Sequence, residues 1–358
     1  MDERARQFLG NLLATHSPSG FEARGQRVWV DAVADVADEV WTDAYGNAVA
    51  VVEGSEEGPE LAFAGHVDEI GFIVRDVTDD GFLRIGPIGG ADRTVSKGQH
   101  VTIHAGGDGE ERKIQGVIGQ TAIHLRESGS EEYDDLGAQF VDVGAEDSET
   151  ARSLVDIGDP VTFTSGQYDL HGTRLAARGI DNRVGVWAAA EGLRRVAEAD
   201  VSATVYAIST VQEEVGLQGA RMVGYDVDPD AVIALDVGHA TDSPGIPSEK
   251  RGPVELGAGP IISRGSTNHP VLVSRLREAA RTEEIDAQIE ATGVRTGTDA
   301  DAFYTTRSGI PSVNVGIPNR YMHTPVEVVD TDDLDGTVDL LAAFAAGVGV
   351  DDDFSVDV

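Results

Sequence analysis

Ala203-Thr-Val-Tyr-Ala-Ile-Ser-Thr-Val-Gln-Glu-Glu-Val-Gly216 passes from a largely apolar run into two adjacent carboxylates and a glycine. A short apolar run of this kind reads as a strand covered on both faces, as in a parallel sheet. A helical pattern from Gln218 to Gly224 follows across Gly216. Glu213 and Glu214 therefore fall at the carboxyl end of a central strand, where open α/β sheets bind their ligands.

Outward from this point, strands and helices alternate. The spacing predicts a helix over Asn182 to Ala197 before the strand, then strand Ala231 to Asp236, helix Pro270 to Thr282 and strand Ala287 to Ala291. A helical Asp299 to Arg307, strand Pro311 to Gly316 and a last helix, Asp332 to Ala346, complete this part. The N-terminal part has helical stretches Ala5 to Ala14 and Glu22 to Ala37 and strand-like runs Ala48 to Val52 and Leu61 to Ala64. Ser19-Gly-Phe-Glu22 has the form of a capping box. Between these parts the period changes to two, in Gly71 to Val74, Gly81 to Ile85, Gln99 to His104 and Gly116 to Gly119, with one short helix from Glu149 to Val155. The expected fold is α/β, a mixed, largely parallel sheet with helices on both faces, interrupted by an inserted all-β domain. The expected boundaries are 1–69 and 165–358 for the α/β domain and 70–164 for the insertion.

The 358 residues include 63 acidic and 27 basic side chains, a formal net charge of −36. A field of that sign repels phosphate backbones and anionic membranes, so neither nucleic acid nor membrane is an expected partner. A hydrophobic content of 41% is too high for a disordered acidic chain. Only Lys97, Lys113 and Lys250 are lysines, a balance that reads as adaptation to high salt. There is no cysteine, which excludes disulfides and thiolate metal sites. Met1 to Arg6 lacks signal-peptide form, and the uncharged stretch Leu340 to Val350 is too short to span a bilayer, so a cytoplasmic protein is expected.

With acidic residues so common, carboxylates gain meaning only from position. Of the Glu-Glu pairs at 56, 110, 131, 213 and 283, only Glu213-Glu214 follows an apolar strand. Leu61-Ala-Phe-Ala-Gly-His66-Val-Asp68 ends in a His and an Asp that point to the same side of an extended segment, so the carboxylate can orient the imidazole. Asp236 closes another strand, Asp181 precedes a helix, and His323 follows the strand and turn ending at Met322. Taken singly, His66 and His323 read as loop histidines, Asp181 as a helix cap and Asp236 as a turn carboxylate. Together, His66, Asp181, Glu214, Asp236 and His323 make a sulfur-free donor set suited to Zn, Co or Mn. The other histidines weighed, at 100, 104, 124, 171, 239 and 269, lack such company, His239 least clearly because it lies near Asp236.

The chain resembles the M42 family of dinuclear metallo-aminopeptidases, the tetrahedral aminopeptidases. The resemblance runs through Ala64 to Gly71, Gly86 to Gly90, Ile180 to Arg183, Thr210 to Gly216, Ala234 to Asp236, Gly297 to Asp299 and Arg320 to Glu327. It implies two divalent metal ions per subunit, one on His66 and Asp236, the other on Glu214 and His323, with Asp181 bridging. It also implies that Glu213 is the general base and that Asp68 orients His66. Asn182, Asn319 and Gly238-His239 depart from the family pattern without touching a ligand position.

Two metals sharing a carboxylate can activate a water and polarise a scissile carbonyl, leaving proton transfer to Glu213. The expected activity is release of N-terminal residues from peptides. The rival readings are an endoglucanase-type glycosidase, which needs carboxylates but no histidine ligands, and a non-catalytic peptide-binding scaffold, which needs no base. The resemblance further implies a homo-oligomer, dimers formed through the β insertion and closed into a dodecamer.

Overall fold

Phe8, Leu9, Leu12 and Leu13, three and four residues apart, form the buried stripe of α1 (Glu3–Ala14), and Asp2 caps the helix by accepting from the Ala5 N–H. The computed structural model describes residues 1–358 except 56–57, 107–111, 127–133, 200 and 247–251. The Glu-Glu pairs at 56, 110 and 131 and Lys250 lie outside the described residues. After α1 come α2 (Ala23–Val33), β1 (Glu39–Thr42), β2 (Ala48–Val52) and β3 (Glu60–His66).

The expected capping box does not form. Glu22 makes no cap bond to α2 and instead accepts from the Gly20 and Gln212 N–H groups, while Ser19 Oγ donates to Asp68 at 2.6 Å. The residues that look like a helix start are drawn away by the strand ends beside them.

Next, β4 (Gly71–Val77), β5 (Leu83–Ile88), β6 (His100–Ala105), β7 (Arg112–Ile118), β8 (Phe140–Asp142) and β9 (Pro160–Phe163), with α3 (Ser148–Leu154) before the last, make a closed antiparallel barrel ordered β4-β5-β8-β7-β6-β9. Alternation places Phe72, Val74, Leu83, Ile85, Val101, Ile103 and Val161 inside it, a core of its own.

The rest of the chain comprises β10 (Tyr168–Asp169), β11 (Arg174–Ala177), α4 (Ile180–Ala197), β12 (Thr204–Thr210), α5 (Gln218–Val227), β13 (Ala231–His239), β14 (Ile261–Arg264), α6 (Pro270–Thr282), β15 (Gln288–Ala291), α7 (Ala300–Phe303), β16 (Ser312–Asn319), β17 (Glu327–Asp330) and α8 (Thr331–Ala346). The eight-stranded sheet is ordered β1-β2-β12-β3-β13-β16-β14-β15, and β10, β11 and β17 form a small separate sheet. Its centre, β12-β3-β13-β16, is parallel, whereas β1, β2 and β14 attach antiparallel. Helices cover both faces, with Leu9, Trp187, Leu276 and Leu341 in one core and Ala220, Val223 and Phe303 in the other. Among the described residues no helix is long and apolar enough to cross a membrane.

Register aligns the strand ends. His66 lies opposite Thr210 and Asp236 opposite Gly316, so the segments after β3, β12, β13 and β16 emerge on one edge. Where the barrel meets the α/β unit, Thr162 Oγ1 of β9 lies 2.6 Å from His16 Nδ1 and 2.9 Å from His104 Nε2. The two rings are 4.8 Å apart, and Arg24 Nη1 of α2 is 3.4 Å from His104 Nδ1. Burial first, then the guanidinium groups nearby, holds both imidazoles down to about 3.

Candidate metal centre

His66 ends β3, Asp236 lies in β13, Glu213 and Glu214 follow β12, Asp181 sits in the first turn of α4, and His323 follows β16 in a left-handed conformation (φ 63°). The fold brings all six together. His66 Nε2 is 3.3 Å from Asp181 Oδ1, 3.7 Å from Asp236 Oδ1 and 3.8 Å from Glu213 Oε2. His323 Nε2 is 3.2 Å from Asp181 Oδ2 and 3.5 Å from Glu214 Oε1. The two carboxylate oxygens of Asp181 thus face two different histidines.

Two clusters with ligand atoms within 4.8 Å of one another result, His66-Asp181-Asp236 and Asp181-Glu214-His323. Asp181 belongs to both and Glu213 to neither.

Asp68 is fully buried, and its carboxylate accepts from the Glu213 N–H at 3.0 Å, the Glu214 N–H at 3.2 Å and Ser19 Oγ. Its main-chain oxygen is 3.1 Å from His66 Nδ1, nearer than its carboxylate at 3.4 Å. One residue therefore touches the His66 ring and the backbone of the Glu213-Glu214 pair.

Three supports lay outside the sequence reading. Glu327 accepts from the Asp181 N–H through one oxygen and the His323 N–H through the other, both at 2.9 Å, and so ties two site loops together. Glu69 pairs with Arg178 and, at 2.7 Å, with Arg183, locking the turn before Asp181 to the end of β3. Gly179 in that turn has φ +59°, and a Cβ there would come within 2.7 Å of Arg183 Nη1 and 2.8 Å of Glu69 Oε2. Asp299, buried beside the site, accepts from Thr210 Oγ1 at 2.5 Å. Glu327, Asp299, Glu69 and Arg183 stand in the stretches quoted for the family resemblance, and that placement was the only sequence signal for any of them.

Concentrated carboxylates in a dry site perturb one another. Burial, then neighbouring acids, raises Glu213 well above the carboxylate range and Glu214 to about 8, and burial pushes Asp299 to about 7. Burial opposes protonation of His66, but Glu213, Asp181, Asp236 and Asp68 outweigh it and raise the imidazole. Burial would raise Asp181, yet His323 and His66 hold it below its ordinary value. Glu214 Oε1 is buried without a hydrogen-bond partner among the described residues. A crowd of carboxylates short of positive charge, with an orphaned oxygen and two imidazoles, fits divalent cations.

The cluster opens into a cavity of about 600 Å³ whose lining also includes His239, Ser263, Glu290, Arg295, Asp301 and Asn314. A larger hollow of about 950 Å³ lies on the barrel around Asp76, Arg84 and Phe140, with no histidine among its described lining.

Similar sequences and a similar architecture occur in other proteins. The lysyl aminopeptidase of Pyrococcus furiosus is 34% identical over 342 residues, 94% of this chain and 95% of its own. An aminopeptidase from the archaeon Desulfurococcus kamchatkensis superposes with a TM-score of 0.89 at 32% identity, covering 97% of this chain and 96% of that one. The TET1 peptidase of Pyrococcus horikoshii, described as assembling into a tetrahedron or a large octahedral shell, superposes with a TM-score of 0.84 at 30% identity, covering 96% and 100%. Residues 46–340 match the family described as M42 glutamyl aminopeptidase, and the chain belongs to the M42 aminopeptidase family.

Proposed function

We propose that this aminopeptidase is dinuclear, with one divalent ion on His66 and Asp236, a second on Glu214 and His323, and Asp181 between them. The observation that carries the reading is Asp181, each of whose oxygens faces a different histidine. Zn, Co or Mn suits the nitrogen and oxygen donors. When bound, such ions supply Lewis acidity toward a peptide carbonyl and toward water. Glu213 lies outside both ligand clusters yet lines the cavity, so its carboxylate is free to accept the proton of the attacking water and return it to the leaving amine. Asp68 positions both halves of the machinery, His66 through its carbonyl and the Glu213-Glu214 backbone through its carboxylate. The surrounding negative charge attracts a substrate's N-terminal ammonium.

We assign residues 1–69 and 165–358 to catalysis and 70–164 to dimer formation within a dodecamer. Phe82, Phe140, Ile123 and Leu125 leave apolar surface exposed in the barrel segment, which supports that use. The dodecamer rests on likeness to the tetrahedral assemblies.

Chelation should abolish cleavage of aminoacyl 4-nitroanilides, and Zn, Co or Mn should restore it. Full activity with no metal bound would refute the dinuclear reading, and chelator-resistant cleavage of a glucan would favour the glycosidase. Light scattering in molar salt should give about twelve chain masses. A fully active monomer would refute the assembly.

A further inference from the structure

The turn that carries Glu213 and Glu214 is held from outside itself. Past Thr210, where β12 ends, four successive main-chain N–H groups meet side-chain oxygens of other segments. Val211 N donates to Asn47 Oδ1 at 3.0 Å, Gln212 N to Glu22 Oε1 at 3.2 Å, Glu213 N to Asp68 Oδ1 at 3.0 Å and Glu214 N to Asp68 Oδ2 at 3.2 Å. Buried main-chain donors need partners, and none of these four takes its partner from the turn. Gln212 lies among them in a left-handed conformation (φ 56°), which a residue with a side chain keeps only where its surroundings impose it.

Glu22 is the acceptor with no other assigned role. It is 5% exposed, and burial first, then Asp68, pushes its carboxyl up to about 7. Burying such a group without a counter-charge is unfavourable, so its position calls for a reason. Four residues further along, Gln26 Nε2 donates to the Ser209 carbonyl at 2.8 Å. Residues four apart share one face of a helix, so the start of α2 grips the end of β12 twice, at a carbonyl before the turn and at an amide within it. The Ser19-Gly-Phe-Glu22 stretch commits both its polar side chains to this turn, Ser19 through Asp68 and Glu22 through Gln212.

The Glu213 carboxylate has no comparable frame. Among the described residues none donates a hydrogen bond to it, and His66 Nε2 stands 3.8 Å away. Its direction is therefore set by the backbone of residues 211–214.

We propose that Glu22 is a positioning residue for the general base: it fixes the Gln212 peptide and, through it, the direction in which the Glu213 side chain leaves the turn. This rests on the reading of Glu213 as the base. The contact needs an accepting oxygen and not a charge, because a protonated carboxyl still accepts through its carbonyl oxygen.

The test compares three variants with wild type as metal-loaded enzyme. Glu22→Met keeps the bulk and removes the oxygen, Glu22→Ala removes both, and Glu22→Gln keeps an acceptor. Glu22→Met and Glu22→Ala should lower kcat on an aminoacyl 4-nitroanilide about 10- to 100-fold, the cost of misplacing a reacting group by about 1 Å. KM and metal content should be kept, and either variant suffices if the other does not fold. Glu22→Gln should recover most of the loss. Added to Glu213→Gln, Glu22→Met should cost nothing further, since residues that act as a unit are not additive. In metal-stripped protein, amide hydrogen exchange at Gln212 should quicken in Glu22→Met and much less in Glu22→Gln.

An undiminished effect of Glu22→Met in the Glu213→Gln background overturns the proposal, as does loss of metal in step with kcat. So does failure of Glu22→Gln to recover activity, or an unchanged kcat with unchanged exchange at Gln212. Full activity of Glu213→Gln alone would instead refute the base, with the exchange at Gln212 still reporting the contact.

Discussion

Replacing Glu69 by Gln keeps the shape of the side chain and removes its charge. Glu69 is 3% exposed and is the carboxylate paired with Arg178 and Arg183, themselves 4% and 1% exposed. It also accepts from the Ser17 N–H at 2.9 Å. The Gln oxygen can still accept one hydrogen bond, but both guanidinium groups lose their counter-charge in a dry environment. Breaking a buried ion pair from one side costs about 3–5 kcal/mol. In a chain of this length that corresponds to a melting temperature lower by roughly 4–7 °C.

The assay is circular-dichroism melting of metal-stripped protein, so that ion binding does not mask the difference. Burial would raise the Glu69 pKa, but Arg178 and Arg183 outweigh it and hold the carboxyl well below its ordinary 4.5. A group lowered in the folded state stabilises fully above its unfolded value, and that contribution is lost as pH falls through the folded one. The gap between wild type and Glu69→Gln should therefore be widest near neutrality and narrow below about pH 4.5. A shift under about 2 °C that is the same at pH 7 and pH 4 would refute the role given to this cluster.

Glu213→Gln should lower turnover about 10²- to 10⁴-fold with both metals retained, whereas Glu214→Gln should also lose metal; equal metal loss by elemental analysis would reverse the two roles. Gly90→Ala places a Cβ 2.6 Å from His323 Nδ1 and 2.7 Å from its Cε1, so the ring must move; metal occupancy should fall, and an unchanged metal content would show that the ring is not held there. Melting temperature should rise from 0.1 M to 1 M salt as the Debye length shortens from about 10 Å to about 3 Å, and a flat curve would remove the reading of salt adaptation.

The centre of the fold was legible because its strands are buried on both faces and announce themselves as apolar runs, Ala203 to Ser209 and Ala231 to Leu235 among them. The strand ends then stood out as polar residues following apolar ones. β1 was not legible, since Glu39 and Thr42 are exposed and its edge position gives no strong alternation. The helix expected over Asp299 to Arg307 ends at Phe303, the later residues turning at Arg307 (φ 52°) and Gly309 (φ 102°). Beyond the place of Glu69 and Arg183 in the stretches quoted for the resemblance, Glu69, Arg178 and Arg183 gave no signal of their pairing, because it is a contact between residues more than 100 positions apart. The same is true of Glu327 with Asp181, 146 positions away. In a chain with 63 acidic residues such partners become visible only when the backbone brings them together.

The contact among His16, Thr162, His104 and Arg24 fixes more than a distance. A guanidinium can only donate, so His104 Nδ1, facing Arg24, must offer its lone pair and carry its proton on Nε2. That N–H then points at Thr162 Oγ1, which accepts it and turns its own hydrogen toward His16 Nδ1. Four side chains on α2, β6, β9 and the segment after α1 thus form a one-way series of donors, entering the barrel from the α/β unit and returning to it. Each imidazole has a single tautomer that satisfies the series. Adding a proton to His104 Nδ1 or His16 Nδ1 turns an acceptor into a second donor and breaks the seam at that bond.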